Sequence, residues 1–282
     1  MNRKTVLWFA ASITLISLKF LLTKDYALTP SIFGAHPFVV FGLCLAFGWM
    51  KRDSIFSHIN DQKILADPAY LAVGVLITAI FLIIPLFTDP AFALFNVILL
   101  LTGVSLIFFG AAAYLPSLLV FVYGFSISFP VILDKLAGTQ YALLTTRVTA
   151  GVAGLIYPVG YEGQLISIID SGGIRNLFFI DAGCSGSASL AIFLTVFALM
   201  LIDIRPPSRY ILPLFLFGII GTSVQNILRL VLLLAANYHL GMEATWQVHD
   251  YAGYVLFPIW FSIFIYVYLK AGAGRSSGMA GR

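Results

Sequence analysis

Three runs of the sequence carry residues that do chemistry. Cys184 lies in Phe179-Ile180-Asp181-Ala182-Gly183-Cys184-Ser185-Gly186, Arg229 in Asn226-Ile227-Leu228-Arg229-Leu230, and His249 in Gln247-Val248-His249-Asp250. A thiol, a permanent cation and an imidazole are the components of a cysteine acyl-transfer site. Each stands at or near one of three successive apolar segments in a chain that otherwise avoids charge. The cysteine sits at the head of an apolar stretch read as a helix from Ser185 to Ile204. There the positive end of the helix dipole favours thiolate. Gly183 and Gly186 allow a peptide to approach closely, and the backbone N–H groups around Ser185 and Gly186 can receive a developing oxyanion. These features predict a Cys184 thiolate more reactive than Cys44.

Each of these residues also has a plainer reading. A single cysteine near a membrane is commonly a small apolar filler or a palmitoylation site, and Cys44, within Phe-Gly-Leu-Cys-Leu-Ala-Phe, is read that way. An arginine inside a span can snorkel or tie helices together. It costs about 2.5 kcal/mol or more at mid-depth, so it needs a partner or a polar cavity. Asn226, three residues earlier on the same helical face, can position it, and Ser223 and Gln225 add polarity. The functional reading of Arg229 is preferred because neighbouring segments supply a nucleophile and a base. His249 serves as general base toward Cys184 and as acid toward a leaving amine. Asp250 reads as a helix cap, not a third member of a triad. His239, His36 and His58 have no matching partners. His239, Glu243 and His249 match no usual zinc spacing, so no metal and no cofactor is expected. Ser185 and Ser187 beside the cysteine are weaker nucleophile candidates than the thiol.

The elements that must position these groups follow from composition. The chain has 282 residues, 60% hydrophobic and only 10% charged, with mean hydropathy +0.99. Soluble domains carry about 25% charged residues, so this chain is built for lipid. The net charge of +4 is dispersed in short loops and termini and forms no basic stripe, which argues against nucleic-acid binding. Two distant cysteines exclude a disulfide framework. The predicted fold is an all-α polytopic membrane protein with about eight transmembrane helices. They are placed at 5–23, 32–50, 69–87, 91–113, 116–133, 185–204, 210–236 and 251–270, with a tight hairpin at Tyr114-Leu-Pro-Ser. The first is read as a retained span, since no small-residue cleavage site follows it. No internal duplication of broken helices is evident, which weighs against a secondary transporter.

Orientation is read from Lys and Arg. Arg3, Lys4, Lys51, Arg52, Lys63, Arg205, Arg209, Lys270, Arg275 and Arg282 fall on one side, against Lys24, Lys135, Arg147 and Arg175 on the other. The positive-inside rule then puts both termini in the cytoplasm, with Cys184 and His249 on the outer side. Residues 1–270 read as one integral-membrane domain, made of N-terminal helices 1–133, an extracytoplasmic segment 134–183 and helices 184–270. Residues 271–282 read as a disordered cytoplasmic tail. Within 134–183, residues 139–157 are expected to form a helix on the outer surface. Two β-rich runs, 163–170 and 174–181, flank Ser171-Gly172-Gly173 and predict a β-hairpin that delivers the chain to Cys184.

In order and spacing, the hairpin, Cys184-Ser185-Gly186, a span, a basic loop, Asn226-x-x-Arg229, a short loop and His249 resemble the exosortase/archaeosortase family. The resemblance covers the C-terminal half, and the run from Cys184 to Phe193 is more similar to archaeal than to bacterial members. It implies a membrane-embedded cysteine transpeptidase. The implied partners are secreted proteins with a C-terminal sorting signal, comprising a motif, a transmembrane helix and a basic tail. The implied reaction cuts at the motif and passes the new C-terminus to a lipid or envelope acceptor. The resemblance makes Cys184 the nucleophile, Arg229 the orienting or oxyanion-stabilising cation and His249 the proton shuttle. Two readings compete: a membrane acyltransferase holding a fatty acyl group on Cys184, and a non-enzymatic anion transporter built on Arg229. Asp181 is left between two roles, repelling the thiolate or binding substrate.

Overall fold

The computed structural model describes residues 35–54, 68–83, 90–181 and 183–273. The expected first span at 5–23, His58, Lys63 and the tail beyond 273 lie outside these, as do the side chains of His36 and Asp250. The architecture is mostly helical with one small sheet. In chain order it comprises α1 (Ala35–Met50), α2 (Pro68–Ile83), α3 (Pro90–Phe109), a 3-10 turn (Gly110–Ala113), α4 (Tyr114–Ala153), β1 (Val159–Glu162), β2 (Leu165–Ile169), β3 (Arg175–Phe179), α5 (Ser187–Asp203) and α6 (Ser208–Ala273). The chain divides into two compact units at Ile132/Leu133.

In the first unit, apolar helices α1 to α3 lead into the start of α4, and Val40, Phe47, Ile98, Leu106, Leu119 and Val122 are buried. Hydroxyls bond within their own helices, as Thr78 Oγ1 does to the Gly74 carbonyl (2.9 Å) and Ser105 Oγ to that of Leu101 (2.7 Å). Lipid offers no alternative partner for such groups. The expected hairpin at Tyr114-Leu-Pro-Ser is instead the 3-10 turn at Gly110–Ala113. Pro116 falls in the first turn of α4, where a missing N–H costs nothing.

The second unit is organised around α5, of which no residue from 187 to 202 is exposed. A helix apolar on all sides belongs in an interior. Phe193 and Phe197 of α5 pack with Leu214 from the early part of α6 and with Phe264 and Tyr268 from its late part. Tyr268 donates its hydroxyl hydrogen to the carbonyl of Ile204 at the end of α5 (2.8 Å). The early part of α6 has its polarity reversed relative to a soluble helix. Leu212, Leu216, Ile220, Val224, Leu228 and Leu232, spaced by four, are exposed, while Thr222, Gln225, Asn226 and Asn237 are buried. An apolar outer stripe with polar residues turned inward is the arrangement lipid selects. Three stretches are long and apolar enough to cross a membrane: Tyr114–Ala153, Ser208–His249 and Tyr251–Gly272. Four shorter apolar helices accompany them among the described residues.

The structure alters several sequence expectations. α4 does not stop near residue 133 but runs through Pro130 to Ala153, so the surface helix expected at 139–157 is its continuation. A helix meets its own hydrogen-bonding needs whatever solvent it enters, and this one ends just before Pro158, which cannot continue it. The expected hairpin is a three-stranded antiparallel sheet of order β1-β2-β3. The added strand, Val159–Glu162, pairs with β2 across the turn at Gly163. The sheet's inner face, Ile166 and Ile168, packs on Ala150 and Ala153 of α4 and on Leu230, Leu233 and Leu234 of α6. The loop expected between 236 and 251 is helical, interrupted only at Gly241 (φ 82°, ψ −172°). That backbone region is essentially restricted to glycine, so one residue turns the chain without a loop. Thr245 closes the break by donating its hydroxyl hydrogen to the Gly241 carbonyl (2.9 Å).

Candidate active site

Cys184 lies in a turn between the sheet and α5, not at the helix cap, because α5 begins at Ser187. Asp181 builds that turn. Its Oδ1 accepts the Cys184 N–H (2.8 Å), and its carbonyl accepts the Ser185 N–H (3.0 Å). An aspartate that bonds the backbone a few residues on is a turn-former, which assigns the acid that the sequence left open. The chain then enters α5 through Gly186 at φ 94°. A side chain there would meet Asn226, whose Cγ and Nδ2 lie 2.8 Å from the position a Cβ would take. Gly186 is thus required for both its conformation and its space. Asn226 is buried and donates from Nδ2 to the Cys184 carbonyl (3.1 Å), fixing the turn to α6.

His249 comes from α6 beyond Gly241, and its Nε2 lies 4.0 Å from the Cys184 sulfur. The Trp246 ring stands one turn earlier on the same helix, 5.8 Å from the imidazole between centroids. Thiol and imidazole open into a cavity of about 260 Å³ whose walls are chiefly apolar: Ile166, Phe178 and Ile180 from the sheet region, Leu230, Leu233 and Leu234 from α6. Thr149, Thr245 and Trp246 complete the polar and aromatic lining. His239, on the same helix as His249, is in contact with Tyr157 and Tyr238 and does not line the cavity.

Arg229 is half-buried and is not among the residues lining the cavity. Its charge nevertheless reaches Cys184 and favours the ionised sulfur. One face of α6 around it carries buried polar atoms without hydrogen-bond partners: both polar atoms of Gln225, Oδ1 of Asn226 and Nε of Arg229. Such groups cost about 1–3 kcal/mol each when left unpaired, and here they gather on the helix face that holds Arg229 and bonds the Cys184 carbonyl.

The expectation of a resting thiolate does not hold. Burial first, and the Asp181 carboxylate second, push the Cys184 thiol up to about 11, and the opposing pull of Arg229 does not overcome them. The cysteine stands outside α5, two residues ahead of its cap Gly186, and not at the helix start expected from the sequence. At neutral pH the sulfur carries its proton, and the base within reach is His249.

A family model for transmembrane exosortases matches residues 32–266. The chain belongs to the exosortase family. The match spans both compact units, so the N-terminal helices share in the family relationship along with the half that holds Cys184, Arg229 and His249. No curated protein and no solved structure matches the chain. For this exosortase family member, sequence reasoning did not single out Thr149, Trp246 or the inner face of the sheet. Thr149 and Trp246 have no sequence neighbours that mark them, and Ile166 and Phe178 read simply as strand residues.

Proposed function

We propose that the protein is a membrane-embedded cysteine transpeptidase that cuts C-terminal sorting signals of exported proteins and transfers the new C-terminus to a lipid or envelope acceptor. The observation that carries this reading is the 4.0 Å approach of Cys184 Sγ to His249 Nε2 in the lining of a partly open, chiefly apolar cavity. In the first half-reaction the Cys184 sulfur attacks the scissile carbonyl carbon while His249 takes the thiol proton. A neutral resting thiol makes that transfer concurrent with attack. The carbonyl oxygen becomes an oxyanion stabilised by Arg229 and by the N–H of Gly186, since the N–H groups of Cys184 and Ser185 are held by Asp181. His249 returns the proton to the leaving amine, and the C–N bond breaks to leave a thioester. An acceptor nucleophile, deprotonated by His249, then displaces the sulfur and restores the thiol. Asn226 holds the turn through its bond to the Cys184 carbonyl.

The reading includes the topology. About eight spans, both termini cytoplasmic, and a site on the extracytoplasmic side follow from the basic-residue asymmetry. The substrate's own transmembrane helix would then meet the exposed apolar stripe of α6 from within the bilayer. The decisive experiment co-expresses the protein with a tagged candidate substrate carrying a motif, a transmembrane helix and a basic tail. A mobility shift that disappears with Cys184→Ala supports the reading. Processing that survives that substitution removes it.

A further inference from the structure

The hydrogen-bond register of the sheet leaves one edge open toward the site. Ile180 N–H bonds the Gln164 carbonyl and Asp170 N–H bonds the Ile174 carbonyl. Together with the pairing of Ile166 with Phe178 and Ile168 with Asn176, this makes the even-numbered residues of β3 the ones bonded to β2. In an antiparallel ladder the alternate residues point their N–H and C=O groups the other way. Arg175, Leu177 and Phe179 therefore present theirs on the outer edge of β3, which has no strand neighbour among the described residues.

The cavity lies against this edge. Four consecutive residues, Leu177, Phe178, Phe179 and Ile180, line it together with Cys184. Successive strand residues face opposite sides of a sheet, so a cavity that touches all four meets the strand edge-on. We propose that the outer edge of β3 binds the substrate segment on the acyl side of the scissile bond as an added strand. An apolar side chain of that segment would enter the cavity, and the scissile carbonyl would arrive at Cys184. This rests on the reading of Cys184 as nucleophile and names the substrate class for that site: an extended, uncharged, apolar peptide segment. The leaving side of a sorting signal is a transmembrane helix, whose backbone groups are already paired. Only the acyl side has free N–H and C=O groups to offer a sheet edge.

The test uses thiol reagents, so it needs no knowledge of the natural motif. Acetyl-trileucyl chloromethyl ketone alkylates a cysteine when the sulfur displaces chloride from the chloromethyl carbon. A thioether forms, and the thiol proton passes to base. Iodoacetamide reacts with the same sulfur but has no peptide to pair. Leu177→Pro removes an N–H that no internal bond uses, and proline is tolerated on an edge strand. Leu177→Ala keeps the N–H. With the full-length protein in detergent, Leu177→Pro should slow peptidyl alkylation of Cys184 about tenfold and leave the iodoacetamide rate unchanged. Leu177→Ala should keep the peptidyl rate within about threefold. On the unsubstituted protein, the backbone N-methylated peptidyl reagent should react about tenfold more slowly than its parent. Equal rates for the parent and N-methylated reagents overturn strand addition while leaving the nucleophile reading intact. Failure of Cys184 to react with iodoacetamide or either peptide reagent overturns both.

Discussion

A thiol held up to about 11 by burial and by Asp181 predicts a specific pH profile for Cys184 alkylation. Only the thiolate reacts, and at pH 8 such a group is about one part in a thousand ionised, against about a quarter for an exposed cysteine near 8.5. Iodoacetamide should therefore modify Cys184 roughly two hundredfold more slowly at pH 8 than an exposed cysteine in a peptide. The rate should rise about tenfold per pH unit up to about pH 10, with no plateau below that. The contributions can be separated by substitution. Asp181→Asn keeps the acceptor that bonds the Cys184 N–H and removes the repelling charge, so alkylation at pH 8 should accelerate several-fold. Arg229→Gln removes the one favourable charge and should slow it. Because Asp181 is exposed, 1 M salt should shrink the Asp181→Asn difference while leaving the effect of burial unchanged. The assay is mass-spectrometric quantification of Cys184 alkylation in detergent, with Cys44 replaced by alanine. A plateau below pH 9, or an Asp181→Asn protein slower than the parent, would refute the assigned balance of burial and charge.

Other outcomes follow from the same geometry. Gly186→Ala should lower the melting temperature markedly, by about 2–4 kcal/mol of stability, since it combines left-handed backbone strain with a clash against Asn226; thermal unfolding in detergent measures it. Asn226→Ala removes the bond to the Cys184 carbonyl and should cost about 1 kcal/mol in stability, with a larger proportional loss of substrate processing than of folding. Arg229→Lys should process substrate poorly despite keeping its charge, because an ammonium lacks the planar fork; parity with the parent in the tagged-substrate assay would make Arg229 a simple point charge. Cysteines placed at Ser171 or Gly172, in the exposed turn between β2 and β3, should label with an impermeant maleimide in intact cells. Labelling only after permeabilisation would reverse the topology.

Sequence reading marked candidate residues where the signal was local, and it failed where placement depended on contacts between distant segments. Cys184, Arg229 and His249 stood out because polar chemistry is costly in an apolar chain, and that cost is visible one residue at a time. The distance from Cys184 to His249 depends on how a single glycine, Gly241, breaks and turns α6 without a loop. Periodicity cannot distinguish that from a loop, so the expected boundaries at 236 and 251 were misplaced. The same limit applies to α4, whose polar second half looked like a surface element because hydropathy changes where the hydrogen-bond ladder does not. The thiol is the most instructive case. Its ionisation was read from a helix start at Ser185, yet Asp181 folds the intervening residues into a turn and moves that start to Ser187. One carboxylate thereby sets Cys184 two residues ahead of the helix cap and adds its own repulsion. The arrangement leaves the Cys184 thiol protonated at neutral pH with the His249 imidazole 4.0 Å away.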